Sequence, residues 1–499
     1  VCRHPDREPS DWSRAGYGAI VKSTISAVRP TDANVASVNE QTHSDGATSV
    51  ATATTLTFAT ARAIAWKIMR EALASVDPAE AVRRTLRRDG YQLIAGANVY
   101  DLRLYKRIIV VGAGKASAPM ARALEGILGD LISSGHVNVK YGYTDETRII
   151  HLHEASHPVP DQAGLDGTAK IVELLHEATA EDLVICLISG GGSALMLLPD
   201  DGISLSDYRA LTDVLLRSGA DITRINTIRK HIERVKGGRL AELAAPATVL
   251  TLVLSDVVGN PLDFIASGPT VPDTTTFADA IGVLNEFDLL GRIPQSVEDA
   301  LRRGERGDTP ETPKPGNPLF DKARTVVIGS NDIAADAAIA CANELGFNTL
   351  MLTSFMEGEA REVARFAVAI GRELVHRHKP LNLPAMVVFG GETTVTVRGR
   401  GKGGRNQEIA LSAALAMANV PRTLIVALAT DGSDGPTDAA GGFADSGSLG
   451  RMRDAGIDPR EALNANDSNE ALARAGDLIV TGPTNTNVND LTFVFVYPN

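Results

Sequence analysis

The chain has 499 residues, 44% of them hydrophobic and 22% charged, with aromatics at only 4% and a formal net charge of -12. That length exceeds one ordinary core and predicts two globular domains. The acidic balance, the absence of a long basic run and the scarcity of aromatics argue against a nucleic-acid partner, and no apolar run reaches the ~20 residues of a bilayer span, so no membrane association is expected.

Residues 1–55 are rich in Ser, Thr, Ala, Asn and Asp and lack hydrophobic periodicity. They are expected to be a disordered or artefactual leader. From Phe58 to Ala74 apolar residues recur at helical spacing. Arg107–Gly112 is a β-branched run closed by glycine and predicts a buried strand, followed by helix from about Ala116 to Leu128. Leu183–Ile188 and Val249–Leu254 are two further strands, closed by Ser189-Gly-Gly-Gly-Ser193 and Ser255-Asp256. Strand, polar turn and helix alternate, which predicts an α/β domain with a parallel sheet covered on both faces. Gly, Pro and charge then crowd the stretch from Arg302 to Asn317, which reads as a linker. Alternation restarts with Thr325–Ile328 and a helical stretch from Asp332 to Leu345, and strands are expected at 385–389, 393–397, 423–429 and 491–497. Around Gly390-Gly391-Glu392 a hairpin or a bent strand is expected, so the second sheet should be mixed. The domains are accordingly set at 1–55 (leader), 56–305, 306–320 (linker) and 321–499. Cys2, Cys186 and Cys341 match no zinc or disulfide spacing and point to a reducing, cytoplasmic setting.

In open α/β sheets ligands gather beyond the carboxyl ends of the strands, so the segments closing each strand carry the chemistry. In Gly112-Ala-Gly114-Lys115-Ala-Ser117 the glycines could bring backbone N–H groups to an anion at a helix start, or simply form a tight turn with a solvated lysine. The segment is neither a Walker A loop nor a full dinucleotide fingerprint. Ser189-Gly190-Gly191-Gly192-Ser193 is expected to approach a ligand closely, since three glycines are costly in chain entropy. Ile228–Arg239 reads as a cationic amphipathic helix ending at Gly237-Gly238, with Lys236 placed to point into a cleft. In Gly399–Glu408, glycine alternates with cations, and Gly403, Gly404 and Arg405 precede a helix, which suits phosphate or carboxylate binding. Asp256, Glu392, Asp431 and Asp434 lie at expected strand ends; one or two of them are expected to touch Mg²⁺.

Taken in series, these blocks resemble the glycerate 2-kinase family, whose C-terminal region is the MOFRL domain. The resemblance runs through Val111–Ser117, His157-Pro-Val-Pro-Asp161, Ile188–Ala194, Ile225–His231, Lys236–Leu240, Leu254–Gly259 and Ala266–Thr270. It continues through Gly390–Thr394, Gly403–Glu408, Thr430–Gly435, Thr481–Thr484 and Thr486–Asp490, covering roughly residues 57–499. It implies a Rossmann-like doubly wound N-terminal domain, a smaller mixed α/β C-terminal domain and a cleft between them. It also implies ATP- and Mg²⁺-dependent conversion of D-glycerate to 2-phosphoglycerate. The family's important lysine and arginine match Lys115 and Arg405, which would clamp the substrate carboxylate and the transferring phosphoryl group. Some relatives carry the label hydroxypyruvate reductase. The alternative activity is therefore an NAD(P)H-dependent hydroxypyruvate or tartronate semialdehyde reductase, which the incomplete dinucleotide fingerprints do not support. A homo-oligomer is left open.

Overall fold

A computed structural model describes residues 58–417 and 419–498, so the expectation for residues 1–55 lies outside the described residues. Two six-stranded sheets organise the fold. The runs expected at 107–112, 183–188, 249–254, 325–328, 385–389, 423–429 and 491–497 are strands, but Ile132–Lys140, Ile150–Ala155, Asn348–Glu359, Gly441–Asp445 and Leu478–Ile479 were not expected, and the strand expected at 393–397 is only the end of Ala385–Thr394. The first sheet is wholly parallel. Its order is Ile150–Ala155, Ile132–Lys140, Arg107–Ala113, Asp182–Ile188, Thr248–Leu254 and Ala323–Gly329. Numbered by chain position this is 3-2-1-4-5-6, the doubly wound dinucleotide-fold order, whose topological switch lies between its first and fourth strands. A small antiparallel sheet of three short strands, covering residues 86–101, precedes it.

The second sheet is mixed, in the order Asn348–Glu359, Ala385–Thr394, Asp490–Val496, Thr423–Ala429, Gly441–Asp445 and Leu478–Ile479. Only the first pair is parallel. The segment around Gly390-Gly391 is one continuous strand rather than a hairpin, in register with Leu491 and Asp490.

Two elements depart from the expected partition. The strand Ala323–Gly329, expected to open the second domain, completes the first sheet by pairing with Thr248–Leu254. The first helix, Phe58–Ser75, was expected to join the N-terminal domain but packs on the second sheet. Arg62 pairs with Asp445 at 2.6 Å and with Asp477 at 2.5 Å, the Tyr497 hydroxyl donates to Ala61 O at 3.2 Å, and Trp66 meets Phe443 edge-on at 6.0 Å. Helical periodicity in one sequence reveals which face of a helix is apolar, not which sheet receives it. As a result one apolar core runs from Ala65 and Ile68 through Val110 and Leu252 to Val426 and Phe493, joining the two sheets.

Candidate active site

The switch point of the first sheet is where two glycine-containing turns emerge side by side. Lys115 N donates to Gly190 O at 2.9 Å, Ser189 N to Ala113 O at 3.2 Å, and Ala116 N to the Ser189 hydroxyl at 3.0 Å, which also lies 3.0 Å from Ser117 Oγ. Gly112 and Gly114 are explained by this packing: a Cβ on Gly112 would overlap the Leu187 backbone, and one on Gly114 would overlap Ser189. These two glycines and Ser189 are buried. They hold the turns together rather than presenting themselves to a ligand, which corrects their expected binding role. Lys115 stays half-buried and lines a cavity of about 410 Å³ together with Gly190, Tyr143, Asp431, Ser433 and Asn485.

Each remaining glycine of the second turn makes room for a neighbour. A Cβ on Gly190 would overlap the Asp256 carboxylate; one on Gly191 would come within 2.8 Å of the His157 ring, and one on Gly192 within 2.9 Å of the Ala266 methyl. Burial raises the Asp256 pKa, Lys115 opposes the rise, and Glu392 adds to it. Burial, with the charges of Lys115 and Lys140, pushes the His157 imidazole down to about 4, so it is neutral at pH 7. Ser193 Oγ lies 3.0 Å from Ser267 Oγ. Ser267 and its neighbour Ala266 both take left-handed backbone angles, φ 61° and 49°. Non-glycine residues hold such angles only where surrounding structure enforces them, at a cost of about 1–3 kcal/mol each.

The second sheet contributes Arg405, the first residue of the helix Arg405–Ala416. Its Nε and Nη2 form a fork on Asp490 at 2.5 and 3.1 Å, and Nη1 donates to Glu392 at 2.7 Å. Burial alone would lower the Arg405 pKa, but these carboxylates outweigh it and hold it raised. Burial drives Asp490 up to about 6 against the pull of the guanidinium. Asn489 Nδ2 donates both to Glu392 at 3.0 Å and to the Asp256 carbonyl at 2.9 Å, so it ties the strand ends of the two sheets together. Arg405 borders a second cavity of about 800 Å³, and Asp431 and Ser433 line both cavities.

The expected residues therefore divide. Lys115, Gly190 and Asp431 line the first cavity and Glu392, Arg405 and Asp431 the second, while Asp256 lies behind Gly190 and lines neither. Gly403 and Gly404 border the second cavity, but they mainly allow close packing, since a Cβ on either would overlap Ser468 or Asp434. Donors earlier in that strap are consumed by Asn466, Ala465 and Asp467. Lys236 is overturned. The helix ends at Lys230 instead of reaching Gly237, and Lys236 is fully buried, bonded to Glu233 and to Met196 O at 3.0 Å. Burial lowers its pKa against the pull of Glu233. Asp434 is also overturned as a metal ligand. Its carboxylate accepts from Asn406 N at 3.1 Å, Gln407 N at 2.8 Å and Gln407 Nε2 at 3.0 Å, so it caps the Arg405 helix. Among the described residues no group of three or more His, Cys, Asp or Glu could hold a metal ion. Sequence reading missed His157, Asn489 and Asp490 as site residues. The only available signal was their position in the blocks 157–161 and 486–490.

Residues 64–302 match a family described as a domain of unknown function (DUF4147), and residues 385–490 match the MOFRL family. A protein from Pyrococcus horikoshii named glycerate 2-kinase is 43% identical over 87% of this chain and 97% of its own length. The chain belongs to the glycerate 2-kinase family. A D-glycerate 2-kinase from Thermotoga maritima is 42% identical over 86% of this chain and 96% of its own. The crystal structure of glycerate kinase from the same organism superposes with a TM-score of 0.79 at 40% identity, covering 88% of this chain and all of that one. A relative from Agrobacterium vitis, named as a hydroxypyruvate reductase, is 42% identical over 87% of this chain and 94% of its own length. The first match contains Lys115, Gly190 and Asp256, and the MOFRL match runs from the Glu392 strand to Asp490. The strand Ala323–Gly329 falls outside both.

Proposed function

We propose that this chain is an ATP-dependent glycerate 2-kinase, transferring the γ-phosphoryl group of ATP to the 2-hydroxyl of D-glycerate. The observation that carries the reading is the delivery of Lys115 and Arg405, by different sheets, to cavities that adjoin at Asp431 and Ser433. Phosphoryl transfer asks a protein for positioning and for neutralisation of spread negative charge, more than for covalent chemistry. Lys115 is the cation on the phosphoryl path. Arg405, its fork fixed by Asp490 and Glu392, faces the same transfer from the other side. Magnesium binds through one or two carboxylates together with substrate phosphates. Asp431, which lines both cavities, would hold Mg²⁺ with Asp256, which lies against Gly190 and feels the charge of Lys115, and the ion would neutralise phosphate charge. His157, neutral and packed on Gly191, keeps the glycine turn against Lys115. Two domains meeting at this site are proposed, with a boundary near residue 330, after the sixth strand of the first sheet. Among the described residues no helix is long and apolar enough to cross a membrane, and the free cysteines Cys186 and Cys341 are buried, in keeping with a cytoplasmic enzyme.

The test is ADP release coupled to detection of 2-phosphoglycerate, with D-glycerate, L-glycerate and hydroxypyruvate compared. ADP release with D-glycerate, giving the 2-phosphorylated product, is the expected result. NADH loss with hydroxypyruvate in the absence of ATP would replace this reading with the reductase.

A further inference from the structure

The helix Ile222–Lys230 and the strained turn at Ala266-Ser267 have no part in the phosphoryl path, yet they meet at the far end of the glycine turn from Lys115. Asn226 is 3% exposed; its Oδ1 accepts from Ser267 Oγ at 3.0 Å, while its Nδ2 is buried without a partner. Ser267 Oγ in turn lies 3.0 Å from Ser193 Oγ. Arg229 stands three residues on from Asn226, on the same side of the helix. Its Nε is buried without a partner, and its guanidinium enters no hydrogen bond or salt bridge among the described residues. The carboxylate on which its charge acts, Glu233, is already taken by Lys236 and by the Tyr208 hydroxyl. In a chain of net charge -12 an arginine left unpaired one helical turn from an orphaned amide donor, which Ser267 links to the Ser193 hydroxyl, is a set of donors lacking an anion.

We infer that Arg229, Asn226, Ser193 and Ser267 form the carboxylate subsite for the hydroxy-acid substrate. The inference rests on the proposed kinase reading and deepens it. The guanidinium and the free Asn226 N–H supply charge-assisted bonds to the carboxylate, and the Ser193 hydroxyl adds a donor, while Ser267, its proton given to Asn226 Oδ1, holds the amide in place. The glycine turn Gly190–Gly192 spans the interval to Lys115, so a short hydroxy acid anchored here turns its hydroxyl toward the phosphoryl path. Arg405 is thereby spared carboxylate recognition, in agreement with its occupied fork.

Two variants and two probes test this. Arg229→Gln removes the charge at similar size. Asn226→Asp is nearly isosteric and turns the free donor into an anion. Calorimetric binding of D-glycerate without ATP, and steady-state KM, are measured for each, alongside glyceramide, which lacks the carboxylate. Expected are at least ~10-fold weaker glycerate binding and raised glycerate KM in both variants, with the ATP KM and glyceramide binding unchanged. A purely structural role would weaken both probes together. Unchanged glycerate binding in folded Arg229→Gln and Asn226→Asp overturns the subsite even if the wild-type chain phosphorylates glycerate. Arg229-dependent glycerate binding in a chain that releases no ADP upholds the subsite and removes the kinase reading instead.

Discussion

Lys115 and Arg405 are both cations at the site, but their surroundings assign them different risks on substitution. Lys115 is half-buried at a cavity wall, so Lys115→Ala removes charge with little packing loss. A drop in kcat of at least ~100-fold is expected, as for loss of a preorganised electrostatic group, with the melting temperature nearly unchanged. Arg405→Lys should not restore activity, because an ammonium cannot reproduce the fork on Asp490; circular dichroism then has to show a folded variant. Asp490 sets a pH dependence. With its pKa near 6, falling pH protonates it and withdraws the anion that orients Arg405. The profile of kcat/KM should fall on the acid side near that value, and Asp490→Asn, which cannot ionise, should flatten the limb at a lower plateau. The glycine-rich segments around Lys115 and Arg405 were legible in the sequence, but the two residues themselves were singled out by the family resemblance. Asp490 was not, since an acid at the head of an apolar strand looks like any strand boundary until the fold places it against a guanidinium.

The glycine turn after Asp182–Ile188 shows how one local sequence feature can serve packing that the sequence does not reveal. Its glycines were expected to admit a ligand; they make room for Asp256, His157 and Ala266, and Gly190 also lines the first cavity. Gly190→Ala should displace the Asp256 carboxylate from beside Lys115 and lower kcat on the order of 100-fold, the loss a misplaced group of this kind causes. Lack of effect in a folded variant would detach Asp256 from the chemistry. The helix Arg405–Ala416 carries the opposite lesson. Asp434, expected near metal, spends its oxygens on the helix's first amides. Asp434→Ala should therefore cost about 1–2 kcal/mol, as lost caps do, and shift the denaturation midpoint while leaving the Mg²⁺ concentration for half-maximal activity unchanged in the folded fraction. Glycine–cation alternation announced a helix start here. It could not announce which carboxylate would come back from residue 434 to cap it, because that choice is made by tertiary packing.

The central strands of the first sheet could be read from the chain, since Arg107–Ala113, Asp182–Ile188 and Thr248–Leu254 are apolar runs closed by polar turns, whereas Ile132–Lys140, broken by Ser, Gly, His and Asn, and Ile150–Ala155, with two histidines and a glutamate, carry no such run. The limits of each domain could not be read either, because the sixth strand lies beyond a Gly- and Pro-rich stretch and the first helix crosses to the other sheet. That helix leads to a test of how the two sheets are held as one body. Asp445 and Asp477 are fully buried and share two arginines, Arg451 from their own side of the sheet and Arg62 from the helix Phe58–Ser75. Both carboxylates are thereby neutralised by two cations, and Arg62 is only 19% exposed. Arg62→Ala leaves two buried carboxylates with one cation, the situation in which breaking an ion pair is costly, about 3–5 kcal/mol. If the helix merely lay on the surface, the pair would contribute no more than about 1 kcal/mol. The two cases separate cleanly in a denaturant titration. The expected outcome is a large loss of stability, a melting temperature several degrees lower, and near-normal kcat at 25 °C in the folded fraction, since Arg62 touches neither cavity. A loss below about 1 kcal/mol would show that the apolar core beneath the helix, running continuously from Ala65 to Phe493, holds the two sheets together without it.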